Sequence, residues 1–190
     1  MKKILLFILS FVAVSTYGAE QFVTFSKNAN TALQLTQTSD TIVYSSADWT
    51  GGKIAVRNLR ADLKAVTGSS NAPVVVATVG KSPLANKYKA QSKQLKGKWE
   101  QFLLFTDNGK VVILGSDKRG TIFGIYELSR QIGVSPWHYW ADVPAPHHSN
   151  IFISQGTYTD GEPKVKYRGI FINDEAPCTS SWVKNTFHRE

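Results

Sequence analysis

The stretch "QFLLFTDNGKVVILG" at residues 101 to 115 constrains the fold of this chain more than any other. Two apolar runs flank "DNGK", and Asn108-Gly109 is a pair that takes up the positive φ values of a tight hairpin turn. The segment that follows, "SDKRGTIFGIYELSRQIGVSPW", opens on the cap-type residues Ser116 and Asp117. It carries Ile122, Ile125, Leu128 and Ile132 along one face and stops at Gly133 with Pro136 close behind, so a helix packs against the hairpin's sheet.

The residues before the hairpin extend the same layer. "DTIVYSS" (40 to 46) reads as a short strand, and Asp48 is positioned to cap a helix whose apolar residues Val56, Leu59, Leu63 and Val66 recur at helical spacing. Gly68 supplies the stop. "APVVVATVG" (72 to 80) is a β-branched run of buried-strand type, so strand, helix and strand make a right-handed crossover unit. The expectation is an α/β, sandwich-like domain with a mixed sheet and two main helices.

The N-terminus reads as an export leader. Residues 1 to 18, "MKKILLFILSFVAVSTYG", pair two lysines with an apolar run too short to span a bilayer comfortably. Thr16 and Gly18 are small enough to precede a cut, so a signal removed after Gly18 is expected, with a secreted or periplasmic bacterial product and no stable membrane anchor. Cys178 is the only cysteine, which excludes an intrachain disulfide despite that destination. Hydrophobic content of 42% with 12% aromatics describes a globular chain, and the length remaining after the leader suits one domain with little left over.

Charge narrows the partners. The 22 lysines and arginines against 14 acids leave the chain basic even without Lys2 and Lys3. No fingerprint of an RNA- or DNA-binding fold accompanies that charge, so acidic polysaccharide fits better than nucleic acid. "KSPLANKYKAQSKQLKGK" (81 to 98) has six lysines and no acid, with Ser82 and Pro83 set to open a short surface helix. It is either a patch for acidic polymers or a solvated arm. "SPWHYWADVPAPHH" (135 to 148) gathers Trp137, Tyr139, Trp140 and three histidines. The rings suit a domain seam or sugar stacking, and the histidines lack the spacing of a zinc site.

Two places carry candidate site residues. Gly120 lies in the first turn of the second main helix beside Lys118 and Arg119, where an anion is favoured. The alternative is that both cations are solvated and Gly120 eases a sharp turn against the sheet. Gly124, in mid-helix, is expected to permit close packing. Further on, "KYRGIFINDE" (166 to 175) has the make-up of a buried strand that delivers Asn173, Asp174 and Glu175 at its far end.

"GSDKRGTIFGIYELSRQIGVSPWHYWADVP" followed by "VKYRGIFINDEAP" resembles the N-terminal part of glycoside hydrolase family 115, the xylan α-glucuronidases. The likeness extends through much of residues 72 to 183, including "GKSPL" and "KGKWE". It implies an N-terminal α/β domain over 19 to 158, then a linker and the start of a catalytic (β/α)8 barrel over 159 to 190. Family 115 activity, as the resemblance implies, is cofactor-free hydrolysis, with inversion, of α-linked glucuronic acid or its 4-O-methyl ether from xylan. Glucuronoxylan is then the partner expected.

Under that resemblance "YRGIFINDE" is the first barrel strand, and barrel active sites lie at strand C-terminal tips. Arg168, Ile170, Ile172 and Asp174 share one face under strand alternation, which makes Asp174 the catalytic candidate and Asn173 and Glu175 candidates for binding sugar. Asp174 and Glu175 point to opposite faces, so they cannot together form the carboxyl pair of an inverting enzyme. Arg168 is a substrate-binding candidate by likeness to family 20 hexosaminidases; pairing with a carboxylate across the domain seam is the alternative. A barrel needs at least about 200 residues, so a truncated, inactive fragment is expected, and a non-catalytic module that binds acidic polysaccharide is the competing function.

Overall fold

The computed structural model describes residues 21–138, 141–169 and 171. The leader, Tyr139, Trp140 and the Asn173 to Glu175 cluster lie outside the described residues. Among the described residues the strands are β1 (Val23–Thr24), β2 (Thr31–Gln34), β3 (Val43–Tyr44), β4 (Val74–Thr78), β5 (Phe102–Asp107), β6 (Lys110–Gly115), β7 (Phe152–Ser154) and β8 (Thr157–Tyr158). The helices are α1 (Thr50–Thr67), α2 (Lys89–Leu95) and α3 (Lys118–Gln131), with a 3₁₀ helix at Pro83–Lys87.

Five strands form one mixed sheet in the order β3-β4-β6-β5-β8. β3, β4 and β6 are mutually parallel neighbours, while β5 runs antiparallel to both β6 and β8. The expected hairpin is present, with Asn108 at φ 46° and Gly109 at φ 71° in its turn. The expected crossover is present too, since α1 joins the parallel pair β3 and β4.

Alternation along the central strands explains why the middle of each is apolar. Val74 and Val76, Phe102 and Leu104, and Val111 and Ile113 face the side covered by α1 and α3. Val75 and Ala77, Leu103 and Phe105, and Val112 and Leu114 face the other side, where Ala85, Tyr88 and Leu95 of the 3₁₀ helix and α2 region close the layer. Successive residues of a strand bury opposite faces, so the covered stretch of each strand reads as a continuous apolar run.

The predicted helical faces are the buried ones: Val56, Leu59, Leu63 and Val66 on α1, and Ile125 and Leu128 on α3 with Ile132 at its C-cap. Gly68 ends α1 in the left-handed region at φ 81°. Asp48 departs from expectation. Trp49 is the N-cap of α1 and contributes no side-chain cap bond. The Asp48 carboxylate instead accepts the N–H of Trp49 at 2.7 Å and that of Thr78 at 3.0 Å, which fastens the β3–α1 loop to the end of β4.

A second, three-stranded sheet in the order β1-β7-β2 has no counterpart in the sequence expectations. Val23 and Ile153 of its strands, with the flanking Phe22, Leu35 and Ile151, join the same buried core as α1 and α3. The two ends of the α/β unit therefore close over the helices.

Gly124 decides how closely α3 approaches the sheet. A Cβ there would stand 2.8 Å from Ile113 Cγ2 and 3.1 Å from Phe102 Cβ. Gly-to-Ala in a helix interior ordinarily gains about 1 kcal/mol, whereas forced overpacking costs roughly 1–3 kcal/mol. Gly124→Ala is expected to lower the thermal midpoint despite its better helix propensity, and adding Ile113→Val should recover part of the loss. Stability equal to or above the parent for Gly124→Ala alone would disprove the close-packing role.

Candidate functional site

The start of α3 is tied to the start of β5 by one carboxylate. Asp117, the N-cap of α3, accepts the N–H of Gly120 through Oδ1 at 2.8 Å and the N–H of Glu100 through Oδ2 at 2.8 Å. Ser116 and Gln101 lace the same junction, with Ser116 N–H donating to the Gln101 carbonyl at 2.9 Å and Gln101 N–H donating to Ser116 Oγ at 3.1 Å. A Cβ on Gly120 would lie 2.3 Å from the Gln101 carbonyl oxygen, so only glycine lets the helix start here. The Gly120 N–H is therefore engaged by Asp117, and the glycine serves the sharp turn against the sheet that the sequence offered as its alternative role.

Glu100 is the residue that sequence reasoning missed. It is buried and holds φ at 54°, a left-handed conformation that costs a non-glycine residue about 1–3 kcal/mol. Its Oε1 pairs with Arg119 at 2.9 Å, and its Oε2 accepts a hydrogen bond from Arg168. Arg168 also lies over the Trp99 ring, 5.6 Å from its centroid, and donates to the Val165 carbonyl. Pairing with a carboxylate of the α/β domain is thus the arrangement adopted by Arg168.

The two preceding residues strengthen the same attachment. Glu162 accepts the Trp99 N–H at 3.0 Å and pairs with Lys98 at 3.4 Å. Residues 98 to 100 form a strip that holds the returning segment 162 to 168 at two points. Each oxygen of Glu100 faces a different guanidinium group, so the one carboxylate bridges Arg119 and Arg168.

Beside this strip is a cleft of about 400 Å³ whose wall includes Phe123, Tyr126, Glu127, Arg130, Asp160 and Arg168. Glu127 accepts from Arg130 at 2.6 and 2.8 Å and from Gln131 at 2.7 Å. Burial by itself pushes the Glu127 carboxyl upward, but these donors prevail and hold it below the ordinary glutamate range. Tyr158, whose hydroxyl donates to Asp160 at 2.6 Å, is pushed well above the usual phenol range, by burial first and then by its carboxylate neighbours.

The other candidates are dispersed. Lys118 turns away from Arg119 and places its ammonium group 6.0 Å from the Trp49 ring centroid. His148 stacks on Phe25 at 3.7 Å, His138 Nδ1 lies 2.8 Å from the Val143 carbonyl, and Trp137 is exposed. Among the described residues no group of three or more His, Cys, Asp or Glu side chains is arranged to hold a metal ion.

Comparison with known proteins gives this geometry a context. Residues 160–190 match the family model described as glycosyl hydrolase family 115. That stretch contains both partners from the returning segment, Glu162 and Arg168. A solved structure described as a novel family GH115 4-O-methyl-alpha-glucuronidase, BtGH115A, with specificity for decorated arabinogalactans, is 30% identical with a TM-score of 0.70. The alignment covers 89% of this chain and 22% of that one. No curated protein matches the chain.

The chain is accordingly a relative of the glycoside hydrolases. Within them its kinship is to family 115, as its motifs imply.

Two outcomes follow from the site's geometry. Glu100→Gln leaves Arg119 and Arg168 without their shared carboxylate, so segment 162 to 168 should become a preferred site of limited tryptic cleavage at Lys164 and Lys166. Cleavage rates equal to those of the parent would show that the pairing does not secure the segment. For Glu127 the native carboxyl titrates below its unfolded counterpart, so its contribution is present at neutral pH and lost as pH falls through the glutamate range. Arg130 is about half exposed, so Glu127→Gln should cost only about 1 kcal/mol at pH 7, with the gap to the parent narrowing in denaturant titrations as pH falls through and below the ordinary glutamate range.

Proposed function

We propose that this chain contributes the N-terminal α/β domain, and the opening of the catalytic domain, of an exported α-glucuronidase acting on a glucuronic-acid-bearing plant polysaccharide. The observation that carries the reading is the kinship to a 4-O-methyl-alpha-glucuronidase across 89% of the chain, with the family match falling on residues 160–190. The chain spans 22% of that relative, which supports reading it as one part of a longer enzyme.

The chemistry is inverting hydrolysis. One carboxylic acid protonates the glycosidic oxygen as the bond from the anomeric carbon breaks; a carboxylate takes a proton from water as that water's oxygen bonds to the opposite face of the same carbon. The two carboxyl groups stand about 6.5–9.5 Å apart to admit the water. In this reading Asp174 supplies one of them, with Asn173 and Glu175 binding sugar hydroxyls or orienting neighbours. The opposing carboxyl comes from a later part of the catalytic domain. No cofactor enters this scheme.

In this reading Arg168 is a positioning residue. Its pairing with Glu100 and its stacking on Trp99 fix the segment 165 to 168 that precedes Asp174 in sequence. Export through the leader at residues 1 to 18 brings the enzyme to polymeric substrate. Glucuronoxylan is one substrate, and decorated arabinogalactan, on which the relative acts, is the other to be compared.

The test is glucuronic acid release by a complete enzyme carrying this N-terminal sequence. Asp174→Ala should lower turnover by at least about 10²-fold, and the 190-residue chain alone should release none. Release by the chain alone, or near-normal turnover of the Asp174→Ala enzyme, would overturn the assignment. The ratio of rates on the two polysaccharides identifies the preferred substrate.

A further inference from the structure

A second surface, remote in role from the Glu100 junction, gathers side chains that the hydrolytic reading does not use. Parallel β3, β4 and β6 end at the same edge of the sheet, the edge outside which open α/β sheets bind their ligands. The loops leaving these strands bring Trp49, Lys81 and Lys118 together. Lys81 Nζ lies 4.9 Å and Lys118 Nζ 6.0 Å from the Trp49 ring centroid. The Trp49 residue is 42% exposed, so the ring retains a free surface.

The platform is rigidly built. Tyr44 donates its hydroxyl to the Trp49 carbonyl at 2.6 Å, and Asp48 fixes the Trp49 and Thr78 N–H groups from a buried position. Gly52 is required beneath it, since a Cβ there would fall 2.2 Å from the Tyr44 hydroxyl. Thr78 and Thr121 join hydroxyls at 2.7 Å, which links the ends of β4 and the first turn of α3. Alongside the ring is a cavity of about 340 Å³ bounded by Ser45, Ser46, Trp49, Thr50, Lys53 and Arg60. Asp48, also in its wall, has both oxygens taken by backbone N–H groups.

Cations outnumber carboxylates at this edge, where Asp48 is the one acid among the residues lining the cavity. Among the described residues no carboxylate lies within salt-bridge distance of Lys53, Lys81 or Lys118, whereas Lys87, Lys98, Arg119, Arg130 and Arg168 all have acidic partners. The part of the aromatic ring left open suits the apolar face of a pyranose, and the ammonium groups of Lys81 and Lys118, which lie over the Trp49 ring with no carboxylate partner among the described residues, suit a carboxylate on that sugar.

We propose that Trp49, Lys53, Lys81 and Lys118 form a glycan subsite for a uronic acid residue of an acidic polysaccharide. The sugar ring packs on Trp49 and its carboxylate lies among the ammonium groups of Lys81 and Lys118. Lys53 and the cavity beside Trp49 accommodate the adjoining sugar. The choice of a uronate as ligand rests on the α-glucuronidase reading; the anionic character of the ligand rests on the three unpaired lysines. The subsite holds polymer, and takes no part in bond cleavage.

Binding to the 190-residue chain tests this without any hydrolysis. The probes are a xylo-oligosaccharide bearing one 4-O-methylglucuronic acid, the same oligosaccharide without it, and adenosine monophosphate, each titrated by calorimetry. The uronate-bearing probe should bind at least tenfold more tightly than the neutral one. Trp49→Ala and the Lys81→Ala/Lys118→Ala double variant should each weaken it at least tenfold, while Lys89→Ala/Lys93→Ala, which removes two exposed lysines of α2, should leave it unchanged. Circular dichroism and thermal unfolding check each variant, and if Trp49→Ala fails to fold the lysine pair decides.

Absence of uronate binding, equal loss in the α2 variant, or tighter binding of adenosine monophosphate would overturn the subsite. Failure of the hydrolytic reading leaves a different signature. In that case the complete enzyme releases no glucuronic acid while the chain still binds the uronate probe.

Discussion

The carboxylate of Asp117 fixes the relation between sheet, helix and returning chain. One oxygen caps α3 and the other holds the N–H of Glu100, so the first turn of the helix and the residue before β5 share a single anchor. Glu100 then adopts its left-handed backbone and turns a buried side chain toward Arg119 and Arg168. Burying a carboxylate is costly unless it is paired and hydrogen-bonded. Two guanidinium groups meet that requirement only if α3 and segment 165 to 168 are both in place, which makes the position of each a condition for the other.

Much of the architecture was legible because it is local. The hairpin follows from Asn108-Gly109 between apolar runs, and α1 and α3 follow from apolar residues at helical spacing with Gly68 and Gly133 at their ends. The three-stranded sheet was not legible, since β1 and β2 pair with β7 across more than a hundred residues and its strands are two to four residues long. Strands so short carry no measurable alternation, and only long-range burial of Phe22, Leu35 and Ile153 selects them. Asp48 was misplaced by one step for a related reason. A cap-type residue before a helix has two uses for its oxygens, and the N–H of Thr78, thirty positions away, competes for one of them.

The candidate site divides in the same way. The alternative role of Arg168, pairing with a carboxylate, was stated from sequence, but the partner was not, because Glu100 shows no pattern in the chain until β5 and α3 are assembled. Gly120 looked like a receptor for an anion because free N–H groups open a helix. Its N–H is instead taken by Asp117, and the same glycine that appeared to admit a ligand admits the Gln101 carbonyl. Kinship to family 115 comes from motif order over a long stretch, a kind of information that neither periodicity nor spacing supplies.

Lys118 and Arg119 show why adjacent residues of like charge need not act as one patch. Successive residues on a helix are about 100° apart around its axis, and at the start of α3 that rotation sends the two cations to different neighbours. Lys118 reaches the Trp49 ring at the edge formed by β3, β4 and β6, while Arg119 reaches Glu100 and, through it, the segment leading toward Asp174. The first turn of α3 is therefore the shared support of two surfaces. Thr121, in the same turn, ties that support to the end of β4 through Thr78. Lys118 and Arg119 are thus carried by the backbone that Asp117 fixes against Glu100, so the edge proposed as a glycan subsite and the Glu100 junction share one turn of helix.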